Sequence, residues 1–393
     1  MIISRFSYSK VAKVGRLDPI RDILHHMVNP QDIGISSSRL TCAYGIVERF
    51  VEEETSRGAA MLIGRYGKYL EPRVFGYKGV RDYSEMLIGD PVEHDTIFLI
   101  ASPTKPVTSL AVCILIERGM ITLDQPVKDI IPELSKDKHD MLIIQILTHT
   151  SGLPDTLPNN HRLRAEHRPL ERFIDEVYSV PLDFQSGTRV KYQSMGFALQ
   201  AEIVRRVTGI PLPEFLSSEV FGPLGMEDTF LGRTTQDRSR IADIVLTKDQ
   251  LQAGWTWNGD YWHKFGAPWG GLFSTVGDYA RLLQLMLDGG AIGGVRVLSR
   301  SMAMRMTTDN LEFQKTLSSV DKANRTWGLG WMMRESWDPS PLGDVVSEYA
   351  FGHWGVSGTV VWADPKTSLV FVMFTNQPES PAWLGRVSNA VAG

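Results

Sequence analysis

The hydrophobic pattern changes period at one place that organises the rest of the chain. Thr96-Ile97-Phe98-Leu99-Ile100-Ala101 is an unbroken apolar run of strand length, the pattern of a strand covered on both faces. Directly after it, Val107, Leu110, Ala111, Ile114 and Leu115 recur at helical spacing, and Gly119 stands where such a helix would be capped. Pro103 suits the first helical position, whose N–H has no intrahelical partner, whereas Pro106 removes an early hydrogen bond. Upstream, a stripe of Leu40, Ile46, Val47, Phe50 and Val51 predicts a helix from Ser37 or Ser38 to near Gly58. Short β-favouring runs separated by Gly, Asp and Pro predict strands at 59–63, 73–77 and 96–100.

From Pro106 to about Ala267 the periodicity is helical, at 110–118, 142–147, 170–178 and 196–208, with long loops punctuated by Pro and Gly. The tail returns to strands at 327–333, 345–351, 359–363 and 369–375. A helix at 276–287 precedes them, with Thr275 and Asp278 spaced as a capping box, and another at 383–391 closes the chain. Strands at both ends with helices between predict an α+β fold: one antiparallel sheet built from both chain ends and flanked by helices. The predicted division is a lead segment (1–35), a sheet domain (36–105 and 268–393) and an inserted, mainly helical domain (106–267).

Composition narrows the function classes. The 393 residues carry a formal net charge of −4, which gives no reason to expect nucleic acid or an anionic membrane as partner. No apolar run approaches the roughly 18 residues of a membrane-spanning helix, and Met1 to Phe6 lack the apolar segment of a signal peptide. A cytoplasmic protein is expected. The two cysteines, Cys42 and Cys113, lie in helical patterns and are expected as buried thiols rather than a disulfide.

The candidate chemistry lies at the change of period. Ser102 precedes Lys105 by three residues, so at a helix start the amine can reach the hydroxyl. A serine hydroxyl becomes a useful nucleophile when an adjacent base takes its proton. A serine cap followed by a solvated lysine fits the same spacing. Ser-x-x-Lys also occurs at Ser7/Lys10, Ser135/Lys138 and Ser319/Lys322, in polar surroundings.

Three further stretches stand out. Tyr192-Gln193-Ser194 offers a tyrosine for acid–base work, made easier to ionise if a lysine lies nearby, or a tyrosine packing at a helix start. His353-Trp354-Gly355 lies within Phe351 to Gly358, whose glycines at 352, 355 and 358 let backbone approach a ligand, or simply build a hairpin. Thr148-His149-Thr150-Ser151-Gly152 sets a histidine near a serine; residues so close in sequence rarely face each other, and the stretch reads as a structural loop.

In this order the stretches resemble the serine β-lactamase-like superfamily: the class C β-lactamases and the related carboxylesterases and D-amino-acid peptidases. The likeness runs from about residue 38 to the end. It rests on the Ser102 context, 147–154, 192–194, 270–278 and 352–358. The resemblance implies an acylated Ser102 with Lys105 as its base, and Tyr192 as the group that delivers a proton to the leaving group. His353 would stand where many relatives have the lysine of Lys-Thr-Gly, and the backbone N–H groups of Ser102 and Val356 would form an oxyanion hole. Ser194, Trp354 and Gly355 are the expected substrate-binding positions, and neither cofactor nor metal is implied.

The departures bear on substrate. Ser194 stands where antibiotic-directed members mostly have Asn, and a hydroxyl fits a substrate amide less well. His353, titrating near pH 6.5 when free, would clamp a carboxylate less firmly than lysine. Trp354 narrows the site, and Trp255, Trp257, Trp262 and Trp269 either line an acyl or leaving-group pocket or pack a long loop. The expected function is that of a serine hydrolase, a carboxylesterase acting on a small ester or amide. The alternatives are a β-lactamase or D-Ala-D-Ala carboxypeptidase, or a non-catalytic penicillin-binding-like scaffold. A zinc hydrolase is disfavoured by the absence of His-Glu-x-x-His, and an α/β-hydrolase by the absence of Gly-x-Ser-x-Gly.

Overall fold

The computed structural model describes residues 27–53, 58–79, 89–232, 236–312, 314–334 and 338–393. Most of the expected lead segment, up to residue 26, lies outside the described residues. In chain order the strands are β1 (Gly58–Arg65), β2 (Lys68–Tyr69), β3 (Arg73–Gly76), β4 (Phe98–Leu99), β5 (Phe230–Leu231), β6 (Leu272–Ser274), β7 (Ala291–Ile292), β8 (Val295–Arg296), β9 (Met332–Met333), β10 (Phe351–Gly355), β11 (Thr359–Asp364) and β12 (Leu369–Thr375). The helices are α1 (Ser37–Glu52), α2 (Thr104–Glu117), α3 (Ile143–Leu147), α4 (Asn160–Ala165), α5 (Leu170–Ser179), α6 (Met195–Thr208), α7 (Leu212–Leu216), α8 (Lys248–Leu251), α9 (Asp260–Phe265), α10 (Val276–Leu287), α11 (Arg300–Met306), α12 (Ser319–Asn324) and α13 (Pro381–Ala392).

The main sheet runs β2-β1-β12-β11-β10-β9, with β3 also on β1, and its pairings are antiparallel. The two chain ends meet at its centre, where Ala59 pairs with Thr375 and Arg65 with Leu369. Period two then sorts each strand between two cores. Val370, Val372 and Phe374 join Ala60 and Leu62 in the core shared with α2, α6 and α10. Leu369, Phe371 and Met373 join Ala59, Met61 and Ile63 in the core under α1 and α13. Both faces are covered, which is why these strands read as continuous apolar runs. An α+β architecture with an antiparallel sheet is therefore present as expected, and helices dominate between β4 and β6.

A second sheet, β4-β6-β5, ends at the residue that matters most. β4 leads into Ala101, which takes φ +54°, a conformation costing a non-glycine residue of order 1 kcal/mol. The chain turns there through Ser102 and Pro103 into α2, every residue of which is buried from Thr104 to Leu115. Tyr279 of α10 donates its hydroxyl to Pro103 O at 2.8 Å, and Thr108 donates to Pro268 O at 2.6 Å. The turn is thus clamped from two directions.

Several boundaries differ from expectation. The strand expected at 345–351 begins only at Phe351. Ser347 gives both its N–H (3.0 Å) and its hydroxyl (2.6 Å) to the Asp364 carboxylate, which folds the preceding residues into turns. The strand expected at 327–333 is limited to Met332–Met333, because Gly330 (φ +81°) reverses the chain and Gly328 N bonds Trp331 O at 2.9 Å. Thr275 caps α10 by accepting from Asp278 N at 3.2 Å. The capping box is nonetheless only half made, since Asp278 turns its carboxylate to Asp228 N and Thr229. α1 stops at Glu52, six residues short of Gly58. Cys113 is buried, but Cys42 is exposed, against the expectation of two buried thiols.

Candidate active site

Ser102 and Lys105 sit at the start of α2, and their spacing does bring the groups together: Lys105 Nζ lies 3.1 Å from Ser102 Oγ. The amine also donates to Trp269 O at 2.8 Å and lies over the Tyr192 ring, 4.8 Å from its centroid. Lys105 is only 1% exposed. Burial, partly offset by the charge of Asp155, lowers it to about 7, so a large fraction of the amine is neutral near neutral pH. A solvated lysine beside a serine cap does not describe this pair.

Tyr192 comes from a segment 90 residues away and donates its hydroxyl to Ser102 Oγ at 2.9 Å. Burial raises the phenol above its ordinary range. This reverses the expectation of an easily ionised tyrosine: burial, with the charge of Asp155, outweighs the lowering by the hydrogen bond to Ser102, and the phenol keeps its proton.

His149 holds this tyrosine in place. Its carbonyl accepts from Lys191 N at 2.9 Å and its Nδ1 accepts from Gln193 N at 3.1 Å, so the backbone is fixed on both sides of Tyr192. The imidazole stacks on the phenol ring at 4.7 Å, and Trp327 meets it edge-on at 4.1 Å. With Nδ1 accepting, the proton is on Nε2, which is buried without a partner among the described residues. Burial, Lys105 and His353 keep the ring neutral. His149 reaches all this from φ +60°. The stretch read as a structural loop therefore carries the support of the site.

His353 lies on β10, opposite Val361 on β11, and is fully buried. Its Nδ1 pairs with Trp354 O at 2.8 Å, and its ring lies 6.1 Å from that of Tyr192 and 6.2 Å from that of Trp327. Burial first, and Lys105 second, lower it to about 3. The expectation of a histidine that is partly charged near neutral pH is overturned, since segments distant in sequence shut it from water. Trp354 is partly exposed and packs against the core under α1 and α13.

The turn after β10 is fastened to Ser102's own strand. Ser357 donates to Leu99 O at 2.8 Å and Thr359 to Ile100 O at 2.7 Å. Gly355 is obligatory there: a Cβ would stand 2.4 Å from Ile100 O and 3.0 Å from Ala101 Cβ. Val356, between these anchors, is about half exposed. Ser194 gives its hydroxyl to Asp155 Oδ1 at 2.6 Å, so this expected substrate contact already has a partner. Asp155 was not singled out from the sequence; the only signal was its place directly after 147–154.

The tryptophans fall into packed ones and one that lines a cavity. Trp262 and Trp269 are buried in the core. Trp255 lines a cavity of about 1150 Å³ with Leu170, Ile174, Tyr261 and Phe265, whose walls include none of Ser102, Lys105 and Tyr192. Among the described residues no three His, Cys, Asp or Glu side chains converge as metal ligands, and no helix is long and apolar enough to cross a membrane.

Known proteins share this fold. The family model described as Beta-lactamase matches residues 45–386. A protein of Escherichia coli (strain K12) described as "Putative D-alanyl-D-alanine carboxypeptidase" is 26% identical over 90% of this chain and 86% of its own length. Among solved structures, a penicillin-binding protein homologue from Caulobacter crescentus superposes with TM-score 0.73 at 21% identity, covering 91% of this chain and 98% of that one. A family VIII carboxylesterase does so with TM-score 0.71 at 20% identity, covering 90% and 98%. At these identities the structural likenesses show a shared fold.

Proposed function

Because the chain belongs to the Beta-lactamase family, we propose that it is a serine hydrolase that works through an acyl-enzyme on Ser102 and prefers carboxylic esters. The observation that carries the reading is the placement of Ser102 Oγ between Lys105 Nζ (3.1 Å) and the Tyr192 hydroxyl (2.9 Å). With Lys105 lowered to about 7, its neutral amine accepts the Ser102 proton as Oγ attacks the substrate carbonyl carbon. The oxygen that gains charge is received by the N–H groups of Ser102 and Val356. The bond to the leaving alkoxide then breaks. That oxygen takes the Tyr192 proton, which Lys105 replaces, leaving Ser102 acylated. Water repeats the sequence from the other side: it loses a proton to the tyrosine–lysine pair, forms the acid and returns Ser102 to its hydroxyl form.

Ester preference is supported by what the cleft does not supply. His353 is neutral and buried, so it gives no cation for a carboxylate of the kind β-lactams carry. Ser194 is engaged by Asp155 rather than open to a substrate amide. The neighbouring folds include both a carboxylesterase and a penicillin-binding protein homologue, so a β-lactamase or D,D-carboxypeptidase is the competing reading. Intact-mass measurement after exposure to short-chain aryl esters, β-lactams and a fluorophosphonate tests both. The expected result is a fluorophosphonate adduct on Ser102 and turnover of aryl acetates and butyrates with higher kcat/KM than penicillins or cephalosporins. Faster cephalosporin hydrolysis would reverse the preference, and labelling elsewhere than Ser102 would remove the nucleophile.

A further inference from the structure

The charges around Ser102 have the wrong sign for an anionic substrate. His353 is neutral, and the Lys105 amine is buried against Ser102 and Trp269. Asp155 is different. It follows Pro154, is exposed, and makes no ion pair among the described residues. Its Oδ1 accepts from Ser194 Oγ at 2.6 Å, which ties the carboxylate to the junction where Tyr192 leads into α6. Tyr192 in turn reaches Ser102 at 2.9 Å. The carboxylate is near enough for its charge to act on both Lys105 and Tyr192.

Its charge also acts on Arg164, which does not neutralise it by contact. The guanidinium lies against Trp255 and Trp262, 4.7 and 5.0 Å from their ring centroids, and its buried Nε has no partner among the described residues. What this region offers an incoming molecule is thus an exposed carboxylate, anchored through the hydroxyl of Ser194, two residues from the tyrosine that reaches Ser102.

We propose that Asp155 is a specificity-determining residue, selecting substrates that carry a cationic group over neutral and anionic ones of the same shape. The proposal rests on the hydrolase reading above and names its substrate class. A positive group settling against Asp155 gains a charge pair that a neutral isostere lacks, and an anionic one is repelled.

Two matched pairs of esters test it, since the charge can lie on either side of the scissile bond. One pair is the p-nitrophenyl esters of 4-(trimethylammonio)butyrate and 5,5-dimethylhexanoate, with the glutarate monoester as the anion. The other is butyrylthiocholine and 3,3-dimethylbutyl thiobutyrate. In the full-length protein at low ionic strength, the cation should be favoured in kcat/KM by about fivefold in at least one pair, the worth of a charge pair about 4 Å apart in water. The preference should shrink as salt is raised. Asp155→Asn keeps an oxygen that can accept from Ser194 and should bring the ratio close to one; Asp155→Lys should turn it toward the glutarate ester. Ratios of one in both pairs, or ratios unchanged in Asp155→Asn, overturn the proposal. If no ester is turned over, the hydrolase reading fails separately. Titration of Ser102→Ala with the anilides of the two acids then decides the point. Tighter binding of the cationic anilide that depends on Asp155 supports it, and equal affinities overturn it.

Discussion

Two Ser-x-x-Lys turns in this molecule make the same contact and are suited to different things. At Ser102 the lysine amine lies 3.1 Å from the hydroxyl, and at Ser135 the Lys138 amine lies 2.7 Å away. Both lysines are buried, although polar surroundings were expected for the second. What separates them is the next partner. Asp137 accepts from both the Ser135 hydroxyl and Lys138 Nζ, so a carboxylate opposes the lowering that burial imposes on the amine and occupies the serine proton. Lys105 has instead a carbonyl, Trp269 O, and Ser102 receives a phenol. In a third copy Lys322 Nζ turns to Glu312 O, and the copy at Ser7 lies outside the described residues. The spacing secures proximity, whereas reactivity depends on keeping carboxylates out of hydrogen-bonding contact with the pair and adding a proton donor.

The sharpest way to break the comparison is to exchange the serines. Ser102→Ala should lower ester hydrolysis by about 10⁴-fold or more, while Ser135→Ala should leave it unchanged; comparable losses in both would remove the distinction. Next come the lysines. Lys105→Met should cost about 10³-fold in kcat/KM, the worth of a general base, and Lys138→Met nothing measurable in the same assay. A smaller effect is expected at the support of the tyrosine. His149→Phe keeps a flat ring but loses the bond from Gln193 N, and should lower kcat by about tenfold to a hundredfold with KM little changed. A rise in KM alone would mean that Tyr192 stays in place without it.

Two pH measurements complete the series. Lys105 serves as base only when neutral, and burial lowers it to about 7. Activity should therefore climb about tenfold per pH unit below 7 and level off above. Asp155 raises Lys105, so Asp155→Asn should move that limb to lower pH. His353, lowered to about 3, stays neutral from pH 5.5 to 9. The ratio of kcat/KM for a carboxylated ester to that for its neutral analogue should change by less than about twofold over that range beyond what Lys105 imposes on both. A steep gain for the carboxylated ester at low pH would return His353 to the role of a titrating clamp.

Much of the fold was legible because strand and helix periods are local. The strands at 59–63 and 369–375 and the helices at 170–178 and 276–287 fall within a few residues of their observed bounds. The shorter strands were overcalled where a distant group intervened, as Asp364 does at Ser347. In the candidate site the Ser102–Lys105 contact follows from one helical turn, but the approach of Tyr192 was reachable only through family resemblance. His149 was read as part of a structural loop, but what that loop supports was not legible, because its partners, 42 and 44 residues on, are backbone groups that leave no mark in composition. The neutrality of His353 was equally hidden, because its burial depends on Tyr192 and Trp327 from other segments.

The pairing of β1 with β12 has a consequence for how the chain comes to be folded. Residues 59 and 375 are neighbours in the finished sheet, so as synthesis proceeds β1 waits for nearly the whole polypeptide before its central partner exists. Contacts of such wide sequence separation are slow to form, and unpaired apolar strands are open to aggregation in the interval. The hairpin that fastens Ser357 and Thr359 to Leu99 and Ile100 also comes late. A nascent chain truncated before residue 355 can bring Ser102 and Lys105 together but lacks the wall that completes their surroundings, so hydrolysis should be gained only near the end of translation, as one late step.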